Sequence, residues 1–233
     1  MDKKILIGSL IRDRGWILHK FLQHISEIDY PKNRIGMKFI VNDSTDESVQ
    51  MLETFQALHW EEYLEISIVR HNFGAIKDKR RAEIRPIIVK NLAIMRNEML
   101  DSIDDYDYLL SIDCDILPFP DVLKKLLEAE KEIVAGIVNN LRDDFWPNLF
   151  NQKTGEPWRN YPRENGVFEC DVTGAVMLIS KAICHNKNIR YGQGEAGEDV
   201  DFCNSARDNG YKIYAHPRVT AWHAMRQEDY LDG

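Results

Sequence analysis

Residues 108–120 read YLLSIDCDILPFP, an almost wholly apolar run followed by two aspartates around Cys114 and then two prolines. The apolar run predicts a buried β-strand, and the prolines predict its end. Because side chains alternate along a strand, Asp113 and Asp115 should point the same way. Two carboxylates this close repel unless a proton or a cation lies between them, and Mg²⁺ or Mn²⁺ prefers such oxygen ligands. The alternative is that Asp113 opens a turn and Asp115 is solvated.

The chain up to residue 138 alternates strand and helix patterns. Further strands are predicted at 3–9, 37–43, 64–70 and 132–138, and helices around 18–25, up to about 57, over 87–103 and over 120–130. Ser44 and Glu47 have the spacing of a capping box, and Pro86 suits the first turn of a helix. This order predicts an α/β fold with a mostly parallel sheet and helices on both faces.

The second half begins with residues 139–168, which show no clear period. We expect a long irregular loop there, of the kind that forms lids and binding loops. Its Trp146 and Trp158 either pack within a lid or stack on a ligand. Regular patterns return afterwards, with a strand predicted at 174–180, a helix at 199–209 and short strands at 211–215 and 219–223.

Composition narrows the function classes. With 233 residues, 44% of them apolar, the chain can fill one α/β core, and its net charge of −8 argues against a nucleic-acid partner. Four cysteines without C-x-x-C spacing predict free thiols rather than a zinc ribbon or a disulfide scaffold. No apolar run suits a signal peptide or a membrane span. We therefore expect a soluble, cytoplasmic protein of one domain.

Polar residues follow three of the predicted strands, at Ser9 to Arg12, Asn42 to Asp46 and Asp113 to Asp115. In open parallel sheets, ligands bind beyond the carboxyl ends of the strands. These three segments should therefore converge on one crevice, which is the predicted binding site.

A longer ordered set of motifs carries a family resemblance. CDVTGAVMLISKAI starts at Cys170, and GEDVDFCNSARDNGYKIYAHPRVTAWH ends at His223. With Asp-Cys-Asp at 113–115 and Ser-Thr-Asp at 44–46, this order resembles the family 2-type glycosyltransferases, particularly the rhamnosyltransferase-like members. The resemblance covers nearly the whole chain. It implies a GT-A fold, which is Rossmann-like with a small antiparallel C-terminal part.

The resemblance also implies an activity and a division of labour. Residues 1–233 would form a single GT-A domain with a nucleotide-binding half (1–138) and an acceptor and catalytic half (139–233). The implied reaction transfers a sugar from a UDP-, GDP- or dTDP-linked donor to the hydroxyl of a glycan or other acceptor. It would use Mn²⁺ or Mg²⁺ and invert the anomeric configuration.

Individual roles follow position by position from the resemblance. The implied metal ligands are Asp113, Asp115 and His223. The implied donor-binding residues are Ser9, Arg12, Asp43, Arg96 and Asp113. The implied catalytic base is Asp199, and the weaker acceptor-binding candidates are Trp146, Trp158 and Glu198.

The sequence leaves some alternatives open. Strand two carries one residue fewer than the family pattern, so either Asn42 or Asp43 reads the base. His223 is alternatively a partly buried histidine beside Trp222, and Glu198 an acidic helix start. A retaining transferase and a sugar-nucleotide-binding module without turnover are alternative functions. A nucleotidyltransferase fits the GSLIRDRG stretch, residues 8–15, poorly.

Overall fold

The computed structural model describes residues 2–74, 81–139, 146–152, 155–163 and 166–224, without the side chains of 81–83. The strands are β1 (Ile5–Ile11), β2 (Ile35–Asn42), β3 (Glu65–His71), β4 (Tyr108–Ile112), β5 (Ile116–Pro118), β6 (Ile133–Val138), β7 (Phe168–Cys170), β8 (Val176–Ser180) and β9 (Ile213–His223). The helices are α1 (Gly15–Ser26), α2 (Ser48–His59), α3 (Arg81–Asp101), α4 (Val122–Glu128), α5 (Lys181–His185) and α6 (Glu198–Asp208).

All nine of these strands form one sheet. Its order is β3-β2-β1-β4-β8-β6-β9-β5, with β7 paired to β9. The strands β1 to β4 pair in parallel, whereas β8 runs antiparallel to both of its neighbours, β4 and β6. The predicted mostly parallel α/β sheet with an antiparallel part is therefore confirmed. The sequence did not predict that a C-terminal strand, β8, separates β4 from β6.

Two hydrophobic cores cover the two faces of the sheet. Alternation along β4 places Leu110 in one core and Leu109 in the other. The first core contains apolar residues of α1, α2 and α4, and the second contains those of α3, α5 and α6. Strands buried on both faces read as continuous apolar runs, which is why β1, β4 and β6 were evident from the sequence.

The start of α2 differs from the predicted capping box. The helix begins at Ser48, and Ser44 instead accepts a hydrogen bond from the backbone N–H of Asp13 (3.0 Å). The carboxylate of Asp46 accepts the N–H of Gly15 (2.7 Å) and the N–H of Ser48 (3.1 Å). The capping-box prediction is wrong because one aspartate binds the first N–H groups of two helices, α1 and α2.

Helix α3 also starts earlier than predicted. It begins at Arg81, so Pro86 lies inside the helix rather than in its first turn. The two predicted C-terminal strands merge into β9, whose pairing with β6 shifts between His216 and Thr220. Pro217 falls inside this shift, where a residue without an N–H costs no ladder hydrogen bond.

The predicted loop is irregular over much of its described length. Residues 140–145, 153–154 and 164–165 lie outside the described residues. Isolated bridges join Asn139 to Pro147 and Phe150 to both Pro157 and Val172, and β7 begins at 168.

The four cysteines are buried and free, as predicted. Burial raises the pKa of the Cys184 and Cys203 thiols to about 12, so both remain protonated at neutral pH. In the described part of the chain, no helix has the length and apolar character needed to cross a membrane.

We expect the Asp46→Ala variant to lose about 1–2 kcal/mol of unfolding free energy, because two helix N-termini lose a hydrogen-bond acceptor. Urea denaturation measures this loss. Glu47→Ala is the matched control, since Glu47 makes no side-chain cap hydrogen bond to α2. Equal losses in the two variants would contradict the role assigned to Asp46.

Candidate functional site

A cavity of about 510 Å³ lies at the carboxyl ends of β1, β2 and β4. Its polar and charged lining residues are Arg12, Arg14, Asn42, Arg96, Asp113, Asp115, Glu198 and Asp199. The predicted convergence of the three strand ends is thereby confirmed. The first turn of α6 closes the cavity from the C-terminal half. We call this space the strand-end cavity.

Arg96 is the charged residue around which this site is built. Its side chain is only 8% exposed, and it extends from α3 beneath the cavity. The guanidinium donates to Asp113 Oδ1 (2.8 Å), Glu198 Oε1 (3.3 Å) and Ser111 Oγ (3.3 Å). Its Nε also lies 3.8 Å from Asp199 Oδ1. The neighbouring carboxylates outweigh burial and raise the pKa of Arg96 well above its ordinary value.

Asp199 has an unusual environment for a carboxylate. Its Oδ1 is shielded from solvent and, among the described residues, accepts no hydrogen bond. Burial raises the pKa of Asp199 to about 7; Glu198 and Asp113 act in the same direction, and Arg96 opposes them. A carboxyl group with this pKa can accept and release a proton near neutral pH.

Glycines shape the surroundings of the Asp199 carboxylate and the loop before α6. A Cβ on Gly174 would come 2.4 Å from Asp199 Oδ2, so only glycine leaves room for the carboxylate. The loop before α6 ends at Gly197, whose φ of 122° favours glycine. Asp201 accepts the N–H of Gly194 (2.6 Å) and so fixes that loop, which gives Asp201 a structural contact.

The Asp-Cys-Asp stretch is a turn rather than the end of a strand. Strand β4 ends at Ile112, so the predicted strand alternation of the two aspartates is wrong. Asp113 binds Arg96, whereas Asp115 binds Arg14, with its Oδ2 3.3 Å from the guanidinium. Each carboxylate is thus neutralised by a separate arginine.

His223 lies beside Asp115 because β5 pairs with β9, with Ile116 opposite His223. The distance from His223 Nε2 to Asp115 Oδ1 is 3.7 Å. Burial acts to raise the pKa of Asp115, but His223 and Arg14 outweigh it, and the pKa is lowered. Asp115 is therefore ionised at neutral pH.

This pair fits part of a cation site. Carboxylate and imidazole groups suit Mn²⁺, and a cation bound with a nucleotide usually takes few protein ligands besides phosphates and water. Across the described ranges, no group of three or more histidine, cysteine or acidic side chains is arranged to bind a metal alone. A cation on Asp115 and His223 would thus take its remaining ligands from water or from a bound molecule.

The predicted donor residues divide into two groups. Arg12 and Arg96 line the strand-end cavity, whereas Ser9 is buried outside that lining and Asp43 accepts the N–H groups of Phe73 and Gly74 (both 3.2 Å). Asn42 lines the cavity instead, and its buried Oδ1 has no hydrogen-bond partner within the described residues. Of the two residues that the sequence left open, Asn42 is therefore the one that lines the cavity.

Arg14 was missed by the sequence analysis. It lines the cavity and binds Asp115, yet it lies just beyond the Ser9 to Arg12 segment to which the resemblance gave a donor-binding role. The available signal was its position two residues after Arg12, because both arginines directly follow β1 and so lie at the same end of the sheet.

A second cavity of about 480 Å³ shares Asp113, Glu198 and Asp199 with the first. Its other side contains Arg85, Asn148, Phe150, Thr173 and His223. Asp199 thus lies where two cavities meet. We call this second space the flanking cavity.

Trp146 and Trp158 line a third cavity, of about 730 Å³, whose lining includes none of these carboxylates. Within it, Phe168 stacks against both Trp158 and Tyr161, with ring centroids 6.3 and 5.6 Å away. The guanidinium of Arg159 lies over the ring of Trp146. Packing therefore accounts for much of their ring contact, and a role in acceptor binding stays a prediction.

Sequence comparisons identify relatives over most of the chain. The sequence model of the Anp1 family matches residues 1–152. Procollagen-lysine,2-oxoglutarate 5-dioxygenase 1 of Gallus gallus is 24% identical over 240 residues, covering 97% of this chain and 31% of that protein. A glycosyltransferase 25 family member of Drosophila melanogaster is 27% identical over 188 residues, covering 76% and 31%. The chain thus spans about a third of the length of these curated relatives.

Solved structures share the fold. S. aureus TarS 1–349 in complex with UDP-GlcNAc is 14% identical, with a TM-score of 0.66 over 96% of this chain and 59% of the TarS 1–349 chain. The mannosyltransferase PcManGT of Pyrobaculum calidifontis, in complex with GDP-Man and Mn²⁺, is 13% identical, with a TM-score of 0.64 over 99% and 59%. The GT-A fold is confirmed. The sequence relatives point to Anp1 and glycosyltransferase 25 rather than specifically to the rhamnosyltransferase-like family 2 members.

We expect Arg96→Met to lower the unfolding free energy by about 3–5 kcal/mol, because it leaves the buried Glu198 and the half-buried Asp113 without their counter-charge. Urea denaturation followed by circular dichroism measures the loss. Arg70→Met is the control, since Arg70 forms an exposed ion pair with Glu53, a type worth at most about 1 kcal/mol. A loss in Arg96→Met as small as in the control would show that the buried cluster contributes little to stability.

Proposed function

This chain belongs to the Anp1 family and has a GT-A fold, and from that premise we propose that it is a glycosyltransferase. It transfers a sugar from a nucleotide-sugar donor to an acceptor hydroxyl. The observation that carries this proposal is the position of Asp199, a carboxylate with a raised pKa at the junction of two cavities. Such a junction provides space for two substrates on either side of one proton acceptor.

The strand-end cavity is the proposed donor site. Arg12 and Arg14 follow β1 and offer guanidinium groups for a diphosphate, and Asn42 offers an amide to a nucleobase. The structural relatives TarS and PcManGT carry UDP-GlcNAc and GDP-Man in their complexes, which supports a nucleotide sugar as donor. Arg96 is better described as a positioning residue, since its contacts are to Ser111, Asp113 and Glu198.

Mn²⁺ or Mg²⁺ is the proposed cofactor, with Asp115 and His223 as ligands and Asp113 beside them. When bound, the cation would neutralise charge that develops on the departing diphosphate. Support comes from the carboxylate and imidazole pair described above and from the Mn²⁺ in the complex of PcManGT.

Asp199 is the proposed general base. The acceptor oxygen bonds to the anomeric carbon of the donor sugar, and its proton passes to Asp199. The bond from that carbon to the phosphate oxygen breaks, and its electron pair leaves with the diphosphate. Displacement from the opposite side inverts the anomeric configuration. Gly174 leaves the space in which the carboxylate lies, and Arg96 holds it through Coulombic attraction.

The flanking cavity is the proposed acceptor site. It combines the face of Phe150 with the carboxylate of Asp199, and sugars present both an apolar C–H face and hydroxyl groups. Glu198 borders this space, but its carboxylate is bound to Arg96 and so positions the start of α6. Phe150 is thus proposed as an acceptor-binding residue, a role that stays a prediction for Trp146 and Trp158.

We expect Asp199→Asn to reduce turnover by about 10²–10⁴-fold and to leave donor affinity unchanged, because the amide cannot accept the proton. In the unaltered enzyme the base must be deprotonated, so turnover should rise with pH through about 7 and then level off. The variant should lose this rise. Steady-state kinetics and calorimetric donor titration measure both effects.

The anomeric configuration of the product, read by NMR, tests the same assignment. Inversion is expected. Retained configuration, or a near-normal rate in Asp199→Asn, would favour the retaining alternative. Donor binding with neither transfer nor hydrolysis in the unaltered protein would instead favour a module without turnover.

We expect Phe150→Leu to raise the acceptor KM about tenfold while donor hydrolysis changes less than about twofold, since leucine lacks a ring face. Trp146→Leu is the matched control, because Trp146 lines the separate third cavity. The acceptor KM is measured from the rate of sugar transfer with acceptor present, and donor hydrolysis is measured without acceptor. A larger effect from Trp146→Leu would move the acceptor site to the third cavity.

A further inference from the structure

Arg14 has contacts that suit a residue with two binding partners. Its Nη2 lies 3.3 Å from Asp115 Oδ2, and its Nη1 donates to the carbonyl of Arg12 at 3.4 Å. Its Nε is shielded from solvent and has no hydrogen-bond partner within the described residues. Arg14 lines the cavity, and a turn of its side chain would bring this unused donor to an anion bound there.

The backbone of Arg14 is fixed, so any change must occur in its side chain. Its N–H donates to Ser48 Oγ (3.0 Å), and its carbonyl accepts the N–H groups of Ile17 (3.0 Å) and Leu18 (2.8 Å). The side chain is 37% exposed and lines the cavity, so packing does not enclose it on all sides.

Asp115 connects Arg14 to the proposed cation. Arg14 lies at its Oδ2 and His223 lies near its Oδ1, so both carboxylate oxygens already have a neighbour. A divalent cation at Asp115 would lie close to the guanidinium, and two like charges at that distance repel strongly when partly buried. Arg14 and the cation therefore compete for the charge of Asp115.

A diphosphate would end this competition. It is an anion that binds the cation and the guanidinium at once, and Arg14 lines the same cavity as Asp115. Moving the guanidinium from Asp115 to a phosphate oxygen removes the repulsion and engages the unused Nε donor. Each of the two ligands then favours the binding of the other.

We propose that Arg14 is a donor-binding residue that couples cation binding to diphosphate binding. Without ligands its guanidinium neutralises Asp115; with both ligands present it contacts the diphosphate, and the cation takes its place at Asp115. This inference rests on the proposed function, because it assumes a nucleotide donor and a cation in the strand-end cavity.

The test compares Mn²⁺ binding and nucleotide binding in the full chain and in Arg14→Met, whose side chain is similar in length but uncharged. Free Mn²⁺ is measured by electron paramagnetic resonance, with and without UDP or GDP. We expect Arg14→Met to bind Mn²⁺ alone about tenfold more tightly, since one partly buried repulsion is removed. In saturating Mn²⁺ the same variant should bind the nucleoside diphosphate about tenfold more weakly.

Two control variants sharpen the test. Arg14→Lys keeps the charge but loses the planar fork, so its Mn²⁺ affinity should match the unaltered chain while its diphosphate affinity falls. Arg218→Met removes an exposed arginine absent from the linings of the described cavities, and neither affinity should change.

Several outcomes would overturn the inference. Mn²⁺ affinity that is unchanged or lower in Arg14→Met would mean that Arg14 only orients Asp115. Unchanged diphosphate affinity would mean that Arg14 does not contact the donor. Failure of the proposed function is distinguishable, because the unaltered chain itself would then bind neither nucleoside diphosphate in the presence of Mn²⁺.

Discussion

The site depends on the ion pairs that the buried guanidinium of Arg96 forms with neighbouring carboxylates. One planar cation from α3 binds Asp113 after β4 and Glu198 at the start of α6, and it lies near Asp199. These carboxylates come from both halves of the chain, and without the cation they would repel one another in a partly dry environment. Arg96 therefore joins the halves electrostatically, and it limits how far the pKa of Asp199 can rise.

Much of the fold was predictable because its first strands are buried on both faces. Continuous apolar runs at β1, β2, β4 and β6 identify strands without reference to the rest of the molecule. The errors arose where a distant contact decides the local structure. Asp46 replaces a capping box because it serves two helices, and β9 is a single strand because β6 pairs with both of its ends. Such pairings leave no periodic signal.

The same distinction between local patterns and distant contacts applies to the residues of the site. Asp113, Asp115 and Asp199 belong to ordered sequence motifs, which is why the sequence identified them. In the structure all three line one cavity, and Asp113 and Asp199 lie beside Arg96. Gly174 and Arg14 were not assigned, because their importance comes from a neighbour far away in sequence. The choice between Asn42 and Asp43 likewise depended on Phe73 and Gly74, whose N–H groups bind the Asp43 carboxylate.

Because β8 lies between β4 and β6, the sheet cannot be completed until the C-terminal part of the chain folds. Strands β1 to β4 pair among themselves and can associate as soon as they are synthesised. Strand β6 has no partner among them; its neighbours are β8 and β9, which follow about 40 and 80 residues later. During translation β6 would present an unpaired apolar edge until the C-terminal strands emerge, a stage at which chains tend to aggregate. A fragment ending at residue 138 would retain that edge permanently, because it lacks the two strands, β8 and β9, that pair with β6.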